Sequence, residues 1–169
     1  MIIGILHHGV TVQDIDAAVA WYTEALGLEL VRRQRQENAY TPILVGVTGA
    51  VLEVAQLRIP SVPLGASTHH IELIQYVQEG ITGAAPPVNQ VGVAHLAFVV
   101  EDIYALAERA RGYGARFRND PVVIAEGANV GGVACYLHDP DGNTLEFLQP
   151  SPERLDLIRR IGAGDGRSC

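Results

Sequence analysis

The sequence predicts an α+β protein of two tandem βαβββ modules, with strands forming a curved, cleft-like mixed sheet. Three observations carry this. The stretch Val93-Ala-His-Leu-Ala-Phe-Val-Val-Glu-Asp-Ile103 has a degenerate copy near the N-terminus, Ile5-Leu-His-His-Gly-Val-Thr-Val-Gln-Asp-Ile15. In each copy a histidine sits on an alternating strand seven residues before an Asp-Ile that opens a helix, and the offset is 88 residues at both His (7 and 95) and Asp (14 and 102). Each helix then gives way to runs of strand period, and a Gly/Ala/Pro-rich stretch separates the two series. A duplicated unit whose sheet cannot close by itself is expected to pack against its twin, leaving a cleft.

The elements follow in order. Residues 4 to 12 alternate, with His7, Gly9 and Thr11 on one face and His8, Val10 and Val12 on the other. Asp14 caps a helix in which Ile15, Val19, Tyr22 and Leu26 recur at helical spacing, and Gly27 ends it. Leu28 to Arg35 and Tyr40 to Val47 read as strands, the second interrupted by Pro42 and so placed at an edge or a bulge. Ala50 to Leu57 and His69 to Val77 complete the first module, residues 1–80. Gly80 to Val91 supplies the linker, taken as 81–91.

The second module, 92–150, repeats the order. A strand over 92–100 leads to a helix from Asp102 with Ile103, Leu106, Ala107 and Ala110 on one face. Short strands follow near Arg116–Phe117 and Val122–Ala125, then Val133 to Leu137 and Thr144 to Leu148. The last two are joined by Asp139-Pro-Asp-Gly-Asn143, a hairpin turn in which Pro140 fixes φ and Gly142 supplies a positive one. Residues 151–169 hold a short helix at Glu153 to Ile161 and a tail expected to fray after Gly162.

Composition narrows the function. The chain has 169 residues, 48% of them hydrophobic, enough for a real core. Lys+Arg 12 against Asp+Glu 19 gives a net charge of −7, with no basic run that could track a phosphate backbone. Nucleic acid is an unlooked-for partner, and a small molecule is the expected one. Every basic residue is arginine, which removes Schiff-base lysines and a phosphate-loop lysine. Cys135 and Cys169 make no disulfide framework, no basic region precedes the first apolar run, and no apolar stretch reaches membrane-spanning length; a soluble cytoplasmic protein is expected.

Aligning the closing strands, His70-Ile-Glu-Leu-Ile-Gln75 with Thr144-Leu-Glu-Phe-Leu-Gln149, sets Glu72 opposite Glu146 and Gln75 opposite Gln149. Each module thus offers one His from its first strand and one Glu from its last. Two imidazoles and two carboxylates suit one divalent ion: Ni, Co, Mn, Fe(II) or Zn. A carboxylate amid Ile-Leu-Ile or Leu-Phe-Leu is costly unless paired. His8 faces away from His7 and reads as structural; His69, His70 and His138 read as turn or rim residues, with His70 the best reserve ligand. Arg32, Arg33 and Arg35 read as a solvated strand end, one of which could bind a substrate anion; Tyr40, Asn129 and Tyr136 are candidate pocket residues, and Cys135 a small buried one.

The paired modules, the His of each first strand, the Glu of each closing strand and the Asp-Pro-Asp-Gly-Asn turn resemble the vicinal oxygen chelate superfamily, the glyoxalase/bleomycin-resistance/extradiol-dioxygenase group. The resemblance covers roughly residues 3 to 150. It implies the glyoxalase-like fold, a homodimer, and His7, Glu72, His95 and Glu146 as metal ligands, a set similar to that of bacterial glyoxalase I. By resemblance to the epimerases, Glu53 in Ala50-Val-Leu-Glu-Val54 is the candidate base and Glu146 or a metal-bound water the group that returns the proton. A lyase or isomerase working by proton abstraction next to a chelated carbonyl is therefore expected, ahead of an Fe(II) extradiol dioxygenase and a metal-free ligand-sequestering protein.

Overall fold

The computed structural model describes residues 1–60, 62–77 and 83–162. The chain divides into two compact units, Met1–Ala84 and Ala85–Cys169, and the division falls inside the Gly80 to Val91 stretch. The expected fraying after Gly162, Cys169, and linker residues 80–82 lie outside the described residues.

In the first unit, β1 (His8–Thr11) leads to α1 (Ile15–Glu24), β2 (Glu29–Gln36), α2 (Thr41–Val45), β3 (Leu52–Arg58) and β4 (Ile71–Tyr76). The sheet order is β1-β4-β3-β2, with β1 parallel to β4 and the other pairs antiparallel. Asp14 caps α1 as expected, accepting from the Asp16 and Ala17 amides at 2.9 and 3.0 Å. The helix buries Ile15, Ala18, Trp21 and Tyr22.

The strand expected over Tyr40 to Val47 is instead α2. Pro42 sits in the first turn of this helix, where a missing amide hydrogen costs nothing. The Asn38 carboxamide accepts from the Thr41 amide at 3.2 Å and hydroxyl at 3.0 Å, and Gly46 ends the helix at φ 70°. Local capping overrode the β-branched composition. The inner end of α2, Val45, packs with Ile74 and Tyr76 on the buried cluster Ala50, Leu52 and Val54.

The second unit repeats the plan with β5 (Leu96–Val99), α3 (Ile103–Gly112), β6 (Arg116–Phe117), β7 (Val122–Val123), β8 (Val133–His138), β9 (Thr144–Gln149) and α4 (Pro152–Gly162). Its sheet runs β5-β9-β8-β6, with β7 also on β8 and β5 parallel to β9. Asp102 caps α3 through the Ala105 amide at 3.0 Å. Leu137, Leu145, Phe147, Ile103 and Ala110 form a fully buried core. The hairpin turn closes as the sequence predicts: Asp139, 1% exposed, accepts from the Asn143 amide at 2.8 Å, and Gly142 has φ 95°. Among the described residues, no helix is long and apolar enough to cross a membrane.

Candidate metal and acid–base site

Each unit builds a His–Glu pair by the same device. In the first, β1 runs parallel to β4 with Gly9 beside Glu72, and His7 stands two residues before Gly9 on the same face. In the second, β5 runs parallel to β9 with Ala97 beside Glu146, and His95 stands two residues before Ala97. The parallel register brings His7 Nε2 to 3.4 Å from Glu72 Oε2 and His95 Nε2 to 3.1 Å from Glu146 Oε2. Both carboxylates are half-buried on central strands.

The first unit adds a third donor, His69, a turn or rim residue by its sequence position. It is buried, its ring stacks on His7 with centroids 4.9 Å apart, and its Nε2 lies 3.6 Å from Glu72 Oε1. Ser67 Oγ holds its Nδ1 at 2.8 Å, so Nε2 is left aimed at the carboxylate. Among the described residues, His7 Nδ1 and His69 Nε2 are buried without a hydrogen-bond partner. One ligand atom from each of His7, His69 and Glu72 lies within 4.8 Å of the others. Burial pushes His69 below the usual imidazole range, outweighing Glu72, and so favours the neutral ring that ligates metals. The donor set fits a borderline divalent cation. The reserve chosen by sequence, His70, instead accepts from the Ile59 amide at 3.1 Å. Alternation fails here because β4 begins only at Ile71.

The second unit adds Tyr136, paired with Glu146 across β8 and β9. Its hydroxyl lies 3.3 Å from His95 Nε2. Burial, and then the hydrogen bond to Glu146, raise its pKa, so the phenol keeps its proton. Cys135, on the opposite face, is buried and its thiol is pushed up to about 11, which makes it a packing residue.

Glu53 does not join this arrangement. Cross-strand partners share a face: Glu53 pairs with Gln75 and Arg35, whereas Glu72 pairs with Gln56. Gln75 reaches the amide of Ile15 at the start of α1, so this face is the helix-packed one, and Glu53 there accepts from Arg35 Nη1 at 2.8 Å. On the Glu72 face the cross-strand neighbour is Gln56, whose amide donates to Glu72 Oε1 at 3.2 Å. The arginine run is sorted the same way. Arg33 bonds Asp16 of α1 at 2.6 Å, while Arg32, opposite Gln56, stands on the Glu72 face. His8 pairs with Ile71 on the helix side, with its pKa lowered by burial and then by His7.

The chain is similar to known proteins along most of its length. A family model described as the Glyoxalase/Bleomycin resistance protein/Dioxygenase superfamily matches residues 4–147. A 2-epi-5-epi-valiolone epimerase of Actinomyces sp is 33% identical over 150 residues, 86% of this chain and 79% of that protein. A lactoylglutathione lyase of Arabidopsis thaliana is 26% identical over 93% of this chain, which spans only 49% of that longer protein. In structure, a glyoxalase family protein from Bacillus cereus superposes with a TM-score of 0.74 at 24% identity, covering 89% of this chain and 96% of that one. The duplicated βαβββ plan, the His–Glu pair at the same place in each unit and these matches agree: the chain belongs to the glyoxalase/bleomycin resistance protein/dioxygenase superfamily.

Proposed function

We propose that this protein is a divalent-metal-dependent lyase or isomerase that removes a proton next to a carbonyl of a small molecule. The observation that carries the reading is the repeated His–Glu pair, reinforced by two buried imidazole nitrogens that have no hydrogen-bond partner among the described residues. The names of its relatives, an epimerase and a lyase, support the reaction class. His7 and Glu72 of the first unit, with His69 as a further donor, and His95 and Glu146 of the second are the residues that would hold divalent metal. A bound divalent ion supplies Lewis acidity beside the substrate carbonyl and acidifies the neighbouring C–H.

Glu146 is the proton carrier in this reading, since it stands beside both His95 and Tyr136. Tyr136, which keeps its proton, donates a hydrogen bond to the oxygen where negative charge grows. Equilibrium dialysis against Co(II) or Ni(II), followed by solvent-deuterium exchange into a panel of 2-oxo and α-hydroxy carbonyl compounds, tests the proposal. Metal uptake with exchange is expected. Tyr136→Phe should slow exchange roughly 10- to 100-fold, Glu146→Gln should stop it, and Glu53→Gln should leave it near the parent rate. A protein that takes up neither metal overturns the reading and points to ligand sequestration; uptake without exchange overturns the proton-abstraction step.

A further inference from the structure

Next to the Glu146 pair, the second unit carries a cation that the proposed proton transfer does not use. The amide of Arg118 donates to the Tyr136 carbonyl at 2.8 Å, extending the β6–β8 ladder so that Arg118, Tyr136 and Glu146 stand in one row on one face. Two strand spacings put the Arg118 backbone about 10 Å from that of Glu146, and an arginine side chain covers most of that distance. Arg118 forms no ion pair among the described residues. Its Nε donates to His138 Nε2 at 3.0 Å, and both Nη groups make no hydrogen bond among the described residues.

His138 makes this a built arrangement. It is buried at 6% exposure, and its Nδ1 faces Thr144 Oγ1 at 3.5 Å. Accepting from a guanidinium requires a neutral ring, and burial, then Arg118 and Arg116, lower its pKa in that direction. A buried neutral imidazole thus fixes one edge of the guanidinium and leaves the planar Nη fork open, the geometry that takes a carboxylate or phosphate in two parallel bonds.

We propose that Arg118, positioned by His138, binds an anionic oxygen group of the substrate while the vicinal oxygens engage the site at His95 and Glu146. The substrate class is then a small carbonyl compound bearing a carboxylate or phosphate a few atoms from the reacting carbon. Tyr136 lies between the two ends. The inference rests on the metal-site reading above and specifies its ligand.

The test uses Co(II)-loaded protein titrated with three bidentate oxygen ligands: acetohydroxamate, neutral outside its chelating group, succinohydroxamate and phosphonoacetohydroxamate. Binding is followed in the visible spectrum and by calorimetry. At least one anionic ligand should bind tenfold or more tightly than acetohydroxamate, and the stronger of the two names the anion. Arg118→Gln should erase that preference with acetohydroxamate affinity unchanged, Arg118→Lys should keep part of it, and His138→Gln, whose amide oxygen can accept the same bond, should keep most. Equal affinity for all three ligands, or a preference that survives in Arg118→Gln, overturns the anchor while the metal site stands. Failure of every ligand to perturb the Co(II) spectrum overturns the metal-site reading and this inference with it.

Discussion

His138 shows how one buried side chain sets both position and pH response. Burial and two neighbouring arginines depress its pKa from 6.5 in the folded chain, while the unfolded chain keeps the ordinary value. Between those two values the unfolded state binds more protons, so stability rises with pH through that window. This contribution is fully present above about 6.5 and is lost as pH falls toward the folded value. Urea unfolding of the metal-free protein at pH 7.5 and 5.5 should show a larger loss in the parent than in His138→Gln, since other groups titrate alike in both; equal losses would remove His138 from the account. Residues of this kind were hard to read from sequence. His7, His95, Glu72 and Glu146 were legible because duplication marks them twice. His69 has no echo, and its burial depends on the bend before β4. The face of Glu53, a candidate named by resemblance, is not legible from the pattern because β3 is apolar on both sides: Leu52 and Val54 pack toward Val45, Ile74 and Tyr76, while Ala55 and Leu57 are buried on the other face. Period-two alternation cannot tell two covered faces apart.

At the scale of elements, the two closing strands hold helices α1 and α3 by the same tie. Gln75 Oε1 accepts from the Ile15 amide at 3.0 Å, and Gln149 Oε1 accepts from the Ile103 amide at 2.9 Å. Each amide is among the first of its helix, which have no partner inside the helix. The glutamine therefore fixes the helix start on the strand that also carries the glutamate three residues earlier. The sequence alignment of Gln75 with Gln149 exposed the pairing but not its purpose, because the bond spans 60 residues in one unit and 46 in the other. Gln149→Ala should cost about 1 to 2 kcal/mol in urea denaturation with an unchanged slope, and Gln149→Glu, which keeps the acceptor and places a negative charge at a helix N-terminus, should recover most of it. A neutral Gln149→Ala would mean that water replaces the bond at no cost. Helix α2 is the opposite lesson: Asn38, Pro42 and Gly46 are punctuation that sequence reading recognises singly, yet five residues are too few for a helical period to outvote a β-branched run.

At the scale of the whole chain, duplication places a His–Glu pair in each unit, and the pairs differ in what stands beside them: His69 in the first, Tyr136 in the second. Each pair is expected to contribute to metal binding, so the Co(II) retained after gel filtration should fall in His7→Ala and in His95→Ala alike. His69→Ala, which removes one of three donors whose ligand atoms lie within 4.8 Å of one another, should weaken retention by the first unit. Because an ion that binds only the folded chain stabilises it by about 2.7 kcal/mol at a hundredfold excess over its Kd, a chelator should lower the Tm of the parent and lower it less in either of the first two variants. A variant that keeps the parent's Co(II) content and its full response to chelator would take that unit's pair out of the metal reading.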